Sequence, residues 1–191
     1  MTFLWIGIIF FAGAHLFSML LPKQRDGLKA QWGEKHWKGA YALVSLIGLA
    51  LMVTGLVSVA NNTEAQEVIY APGASARHIA MTLVLLGFIA LAAAKGKSHI
   101  RKWLRNPMSV GIALWALGHL AANGMLHEIL FFGTFLVVAV LDIVASELRG
   151  KRPAHVPELR SDVIAVVAGL ALYVVFLLVI HPYVFRVPVL T

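Results

Sequence analysis

The sequence predicts an all-α fold, a polytopic membrane helix bundle with six transmembrane helices. Three observations predict it. The chain of 191 residues is 60% hydrophobic and only 13% charged, against ~45–50% apolar and ~25% charged in an average soluble domain. Its mean hydropathy is +0.82. Its basic residues fall in short runs that alternate, loop by loop, with segments lacking Lys and Arg. Because one span takes ~20 apolar residues, six use ~120 and leave only short loops. Residues 1–191 are therefore read as a single transmembrane domain without a separate soluble catalytic domain, so any chemistry falls to side chains on the helices or to a bound cofactor.

The spans follow in order. Thr2 to Leu21 carries no charge and no basic residues before it, and is read as a retained span despite the small residues Ala12-Gly13-Ala14. Gly39 to Ala60 is the second, and Ala76 to Ala94, opening after Ala71-Pro72-Gly73, is the third. Pro107 to Ala122 is a shorter fourth, and Asn123-Gly124 turns into the fifth, Met125 to Ser146. The sixth runs from Asp162 to His181 and stops at Pro182.

Loop charges give these spans a direction. Residues 22–38 hold Lys23, Arg25, Lys29, Lys35 and Lys38, residues 95–106 hold Lys95, Lys97, Arg101, Lys102 and Arg105, and residues 147–161 hold Arg149, Lys151, Arg152 and Arg160. Residues 61–75 carry Glu64 and Glu67 without Lys or Arg, and residues 123–127 carry neither sign. The positive-inside bias puts the three basic loops in the cytoplasm and both termini on the opposite side. The same distribution explains the net charge of +7 as a topology signal and argues against nucleic acid, which would call for a basic face on a domain. The absence of cysteine excludes disulfides, thiolate haem ligation and thiolate zinc sites. Small residues four apart, Gly118 with Ala122 and Ala165 with Gly169, are candidate helix contacts.

Ionisable groups within a span usually face the bundle interior, so each histidine is placed by depth. His36, His99 and His155 fall in or beside the basic loops, and His127 is read as interfacial at the start of the fifth span. His78 and His181 lie at the outer ends of the third and sixth spans and are the runner-up ligands. His15 and His119 have apolar neighbours on both sides. At 1.5 Å per residue they lie ~9 Å and ~18 Å from the inner ends of their spans. Steps of four align Gly111, Trp115, His119 and Asn123 on the fourth span, while Phe11, His15, Ser18 and Met19 share a face of the first. Two such imidazoles can clamp a haem iron between facing helices, or each can donate a hydrogen bond that stabilises packing. Met19, Met81, Met108 or Met125 could replace one of them in a His/Met site. Near the inner face, Asp142, Arg160 and Asp162 read as interfacial ion pairs.

The string Arg105-Asn106-Pro107-Met108, Gly111 and Leu114-Trp115-Ala116-Leu117-Gly118-His119-Leu120-Ala121-Ala122-Asn123-Gly124 resembles the signature of the NnrU family. Trp37-Lys38-Gly39 with Tyr41 and Ser45, Ala76-Arg77-His78, Phe132-Gly133, Ala139-Val140-Leu141-Asp142, Arg160 with Asp162, His181-Pro182 and Val187-Pro188 extend the resemblance over nearly the whole chain. It implies a bacterial inner-membrane protein associated with denitrification and nitric oxide metabolism. The family is similar to the plastid zeta-carotene isomerase, a haem b membrane enzyme, whose first-span histidine and span-four motif have counterparts in His15 and His119. The resemblance thus implies haem b with His15 and His119 as metal ligands, Trp115 and Asn123 shaping the pocket, and an apolar polyene or nitric oxide as the molecule acted on. Two positions depart from the pattern: Asn106 stands where the family often has histidine, and Arg186 where glycine is frequent.

Two alternatives follow. The Arg-x-Pro segment is also similar to one in isoprenylcysteine-type membrane methyltransferases, which would place S-adenosylmethionine at the inner ends of spans three to five with Arg105 on its carboxylate. The third class is a non-enzymatic assembly partner of respiratory complexes. The expected partners are membrane lipid and an apolar small molecule; no oligomeric state is assigned.

Overall fold

The computed structural model describes residues 1–184, and the Arg186 and Val187-Pro188 positions of the family pattern lie outside the described residues. Among the described residues there are eight α-helices: α1 (Thr2–Leu20), α2 (Pro22–Trp32), α3 (Glu34–Ala60), α4 (Ala76–Ala92), α5 (His99–Leu104), α6 (Pro107–Ala122), α7 (Leu126–Leu148) and α8 (Leu159–Val175). A 3-10 turn, Thr63–Ala65, follows α3, and α8 continues as a π-helical stretch, Phe176–Val184, around Pro182. Four helical segments are long and apolar enough to cross a membrane: Thr2–Leu20, Glu34–Ala60, Leu126–Leu148 and Leu159–Tyr183. Two apolar helices, α4 and α6, are shorter, at 17 and 16 residues. The protein is a multi-pass, all-α membrane protein.

The helices match the expected spans closely, and the differences lie at their ends. α3 begins five residues before Gly39, where Glu34 reaches Lys38 one turn on at 2.7 Å. Two of the basic loops between spans carry helices. α2 starts with Pro22 in its first turn, where the missing N–H costs nothing. α5 is capped by Ser98, whose hydroxyl accepts from the Arg101 N–H at 3.0 Å.

The chain divides into two compact units. The first comprises Met1–Gly73 and Asn123–Ala145, and the second Ala74–Ala122 and Ser146–Thr191. In the first, α1 lies directly against α3 because glycines remove the side chains between them. A Cβ on Gly48 would fall 2.5 Å from the Phe11 nitrogen, and one on Gly55 2.7 Å from the Leu4 Cα. Leu4, Gly7 and Phe11 of α1 thus interleave with Gly48, Met52 and Gly55 of α3, and Leu4 and Met52 are fully buried. With no hydrophobic drive between helices in lipid, this close packing is what holds them. α7 joins α1 through Phe11 and Phe135, whose rings are 4.9 Å apart.

At one end of this unit the segment before residue 71 is pinned to the turn ahead of α7. Val68 and Met125 form an antiparallel bridge, the Leu126 N–H donates to Glu67 O at 2.8 Å, and Ile69 N–H to Gly124 O at 2.9 Å. The Tyr70 hydroxyl donates to the Asn123 carbonyl at 2.7 Å. Gly124 is required here, since a Cβ would collide with the Tyr70 carbonyl.

In the second unit α4 carries the packing. Gly87 faces Gly111 of α6, and Gly118 of α6 faces the Ala80 carbonyl. Ala165 and Gly169 of α8 are buried, with a Cβ on Gly169 only 2.6 Å from Ile89 Cα. The Ala165/Gly169 pair singled out in the sequence is therefore the contact of α8 with α4. The outward residues are apolar as well: Ile164 and Val167 of α8 are 56% and 61% exposed. An exposed apolar surface on this scale fits hydrocarbon and not water.

Candidate functional site

His15 and His119 sit in helices and share one local geometry. In each, Nδ1 donates to the carbonyl of the residue four before it, Phe11 or Trp115, at 2.8 Å. A carbonyl cannot donate, so Nδ1 carries a proton, which leaves Nε2 as the ring nitrogen through which such a histidine would ligate. His36 makes the same bond to the Trp32 carbonyl at 2.9 Å, yet it is exposed. The tautomer is thus a product of helical geometry, and burial separates His15 and His119 from His36. Both are partly buried.

The surroundings differ. His15, in the first unit, lies 4.3 Å from the Phe11 ring and 5.3 Å from that of Tyr41 on α3. His119, in the second, lies 4.8 Å from the Trp115 ring and 6.1 Å from that of His181, which is inclined to it by only 20°. The structure therefore brings Trp115, His119 and His181 together. Asn123 stands just beyond α6, where its carbonyl takes the Tyr70 hydroxyl. His78 is exposed in the first turn of α4.

His127, read from the sequence as interfacial, is 3% exposed within the protein, and its Nδ1 has no hydrogen-bond partner among the described residues. The strap from Glu67 to Tyr70 joins the start of α7 beside it. Among the described residues, no group of three or more His, Asp or Glu side chains could hold a metal ion. The donors available are single imidazoles, whose Nε2 would be the atom to hold a haem iron.

The first unit also holds an apolar cleft of about 320 Å³ between Ala12 and Leu16 of α1 and Leu130, Gly133 and Val137 of α7. Its one hydroxyl, on Thr134, is turned back to the Leu130 carbonyl at 2.7 Å. In the second unit, Arg105 pairs with Glu147 at 2.8 Å, and Glu147 takes Arg152 as well, at 2.9 Å.

The family described as NnrU protein matches residues 3–189. The chain belongs to the NnrU family. No match was found among curated proteins or solved structures. The family match covers the helices that carry His15, Trp115, His119 and His181, so the resemblance first seen around the α6 motif holds along the chain.

Proposed function

We propose that this NnrU protein is a haem b protein of the bacterial inner membrane, built on six spans with both termini periplasmic, and that His119 would hold the iron. The observation that carries this reading is the His119 imidazole: partly buried beside Trp115, with its proton fixed on Nδ1 by the 2.8 Å bond to the Trp115 carbonyl. His15 has the same preparation in its own unit, and His181 is the imidazole beside His119. The six spans count α4 and α6 with the four longer segments, and the orientation rests on the three basic loops.

When bound, haem supplies an iron that changes oxidation state and accepts a further ligand. The residues around it would fix imidazole orientation and exclude water. Two uses suit a site reached from lipid: cis–trans isomerisation of an apolar polyene and the binding of nitric oxide. The methyltransferase reading is weaker because Arg105, its carboxylate holder, is already paired with Glu147.

The test is the absorption spectrum of protein purified from haem-supplemented cells. A Soret band lost in His119→Ala is expected. Loss in His15→Ala as well makes that residue the second ligand, whereas loss in His181→Ala alone of these two puts both ligands in the second unit. A folded but colourless protein overturns the proposal.

A further inference from the structure

The loops at residues 95–106 and 147–162 meet at one end of the second unit, where α4 ends and α6 and α8 begin. They are tied together by specific contacts. The Glu158 N–H donates to Lys97 O at 2.7 Å, and His155 Nε2 lies 3.0 Å from Ser98 O. The Ile100 N–H donates to Asp162 Oδ1 at 3.1 Å.

These loops contain nine Lys and Arg residues and three acidic residues, Glu147, Glu158 and Asp162. Each acid is engaged: Glu147 by Arg105 and Arg152, Glu158 by Lys97 at 3.1 Å, and Asp162 by His99 at 2.6 Å. Six positive charges remain in excess. Lys95, Lys102, Lys151 and Arg160 are exposed and have no ion-pair partner among the described residues. Beside them stand large apolar side chains: Trp103 is 89% exposed, Leu148 84% and Leu159 73%. Water is a poor solvent for such a set. The boundary between headgroups and acyl chains suits it, with indole and aliphatic groups entering the apolar edge and cations meeting phosphate.

We propose that this end of the second unit binds the headgroups of anionic phospholipids, with Lys95, Lys102, Lys151 and Arg160 on the phosphates and Trp103 at headgroup level. Charge complementarity selects the occupant: a zwitterionic headgroup brings no net negative charge, whereas the loops carry nine basic residues against three acidic ones. The inference needs only that the protein crosses a membrane and is independent of haem.

The test exchanges the full-length protein into detergent micelles containing equal mole fractions of phosphatidylglycerol and phosphatidylcholine, then quantifies the lipid retained per protein. Phosphatidylglycerol is expected to be enriched, less so as salt rises. Combining Lys95→Gln, Lys102→Gln, Lys151→Gln and Arg160→Gln should remove the enrichment, by about fivefold for each charge. A control combining Lys23→Gln, Lys29→Gln and Lys35→Gln, in the first unit, should keep it. Equal loss in the control overturns the localisation, and full competition by millimolar inorganic phosphate identifies a free-anion site in place of a lipid one. No enrichment in wild-type protein leaves these loops to another occupant, such as an acidic protein segment, and overturns the proposal.

Discussion

Gly48→Ala puts the α1–α3 seam to a direct test. The new methyl group would sit 2.5 Å from the Phe11 nitrogen and 2.9 Å from its Cα. These are backbone atoms and cannot turn aside. Ordinary contact starts at 3.4 Å, so the helices must part locally by ~0.9 Å, the difference between 3.4 and 2.5. A gap of that size forfeits roughly a quarter to a half of each van der Waals contact across it, and overpacking of this kind costs ~1–3 kcal/mol. Alanine returns ~1 kcal/mol of helix propensity, leaving a net effect between ~0 and ~2 kcal/mol of destabilisation. Gly39→Ala is the matched control: it lies in the same helix with nothing within 4 Å of its Cβ position, and should gain ~0.5–1 kcal/mol. Unfolding of detergent-solubilised protein by sodium dodecyl sulfate, followed by circular dichroism, reads both signs. A Gly48→Ala protein that gains as much stability as Gly39→Ala would refute the claim that glycine is what brings α1 and α3 together.

Three further outcomes are expected. Gly124→Ala should lift the strap off the Asn123-Gly124 turn, seen as faster hydrogen exchange at the Ile69 and Tyr70 amides, which both bond to the Gly124 carbonyl. Tyr70→Phe should cost ~0.5–1.5 kcal/mol through its lost hydrogen bond. Tyr70 itself should titrate above the usual phenol range, because burial and then the nearby Glu128 charge disfavour the phenolate. A raised native value means this contribution is complete below the unfolded phenol pKa and fades as pH rises through the native one; ultraviolet titration of wild type against Tyr70→Phe checks it. Asp162→Asn should loosen the start of α5, where the carboxylate holds His99 and the Ile100 N–H, and exchange at residues 99–104 should rise while α3 stays protected.

The spans were legible because crossing hydrocarbon demands length and apolarity, both local properties of the chain. Pro22 and Ser98 were also visible start signals for α2 and α5, but they stand in stretches whose charge had already assigned them to loops. The preparation of His15 and His119 was implicit in their helices, since any helical histidine can reach the carbonyl four residues back. What the sequence could not show is non-local. His181 meets His119 across 62 positions, and the start of α7, where His127 is buried, is joined by a strap about 60 residues earlier in the chain. The glycines divide in the same way: Gly118 and Gly169 stood in small-residue pairs, whereas Gly7, Gly48 and Gly87 acquire meaning only from the helix opposite.

The brevity of α4 and α6 has a mechanical consequence. At 17 and 16 residues they reach only ~26 and ~24 Å along their axes, while the hydrocarbon of an ordinary bilayer is ~30 Å deep. In the six-span arrangement the two leaflets must pucker toward each other around these helices, at a fraction of a kcal/mol per ångström. On that six-span reading the bilayer is an elastic load on the second unit, lighter with shorter acyl chains and heavier with longer ones, so the energy of this half of the protein would depend partly on the lipids its host makes.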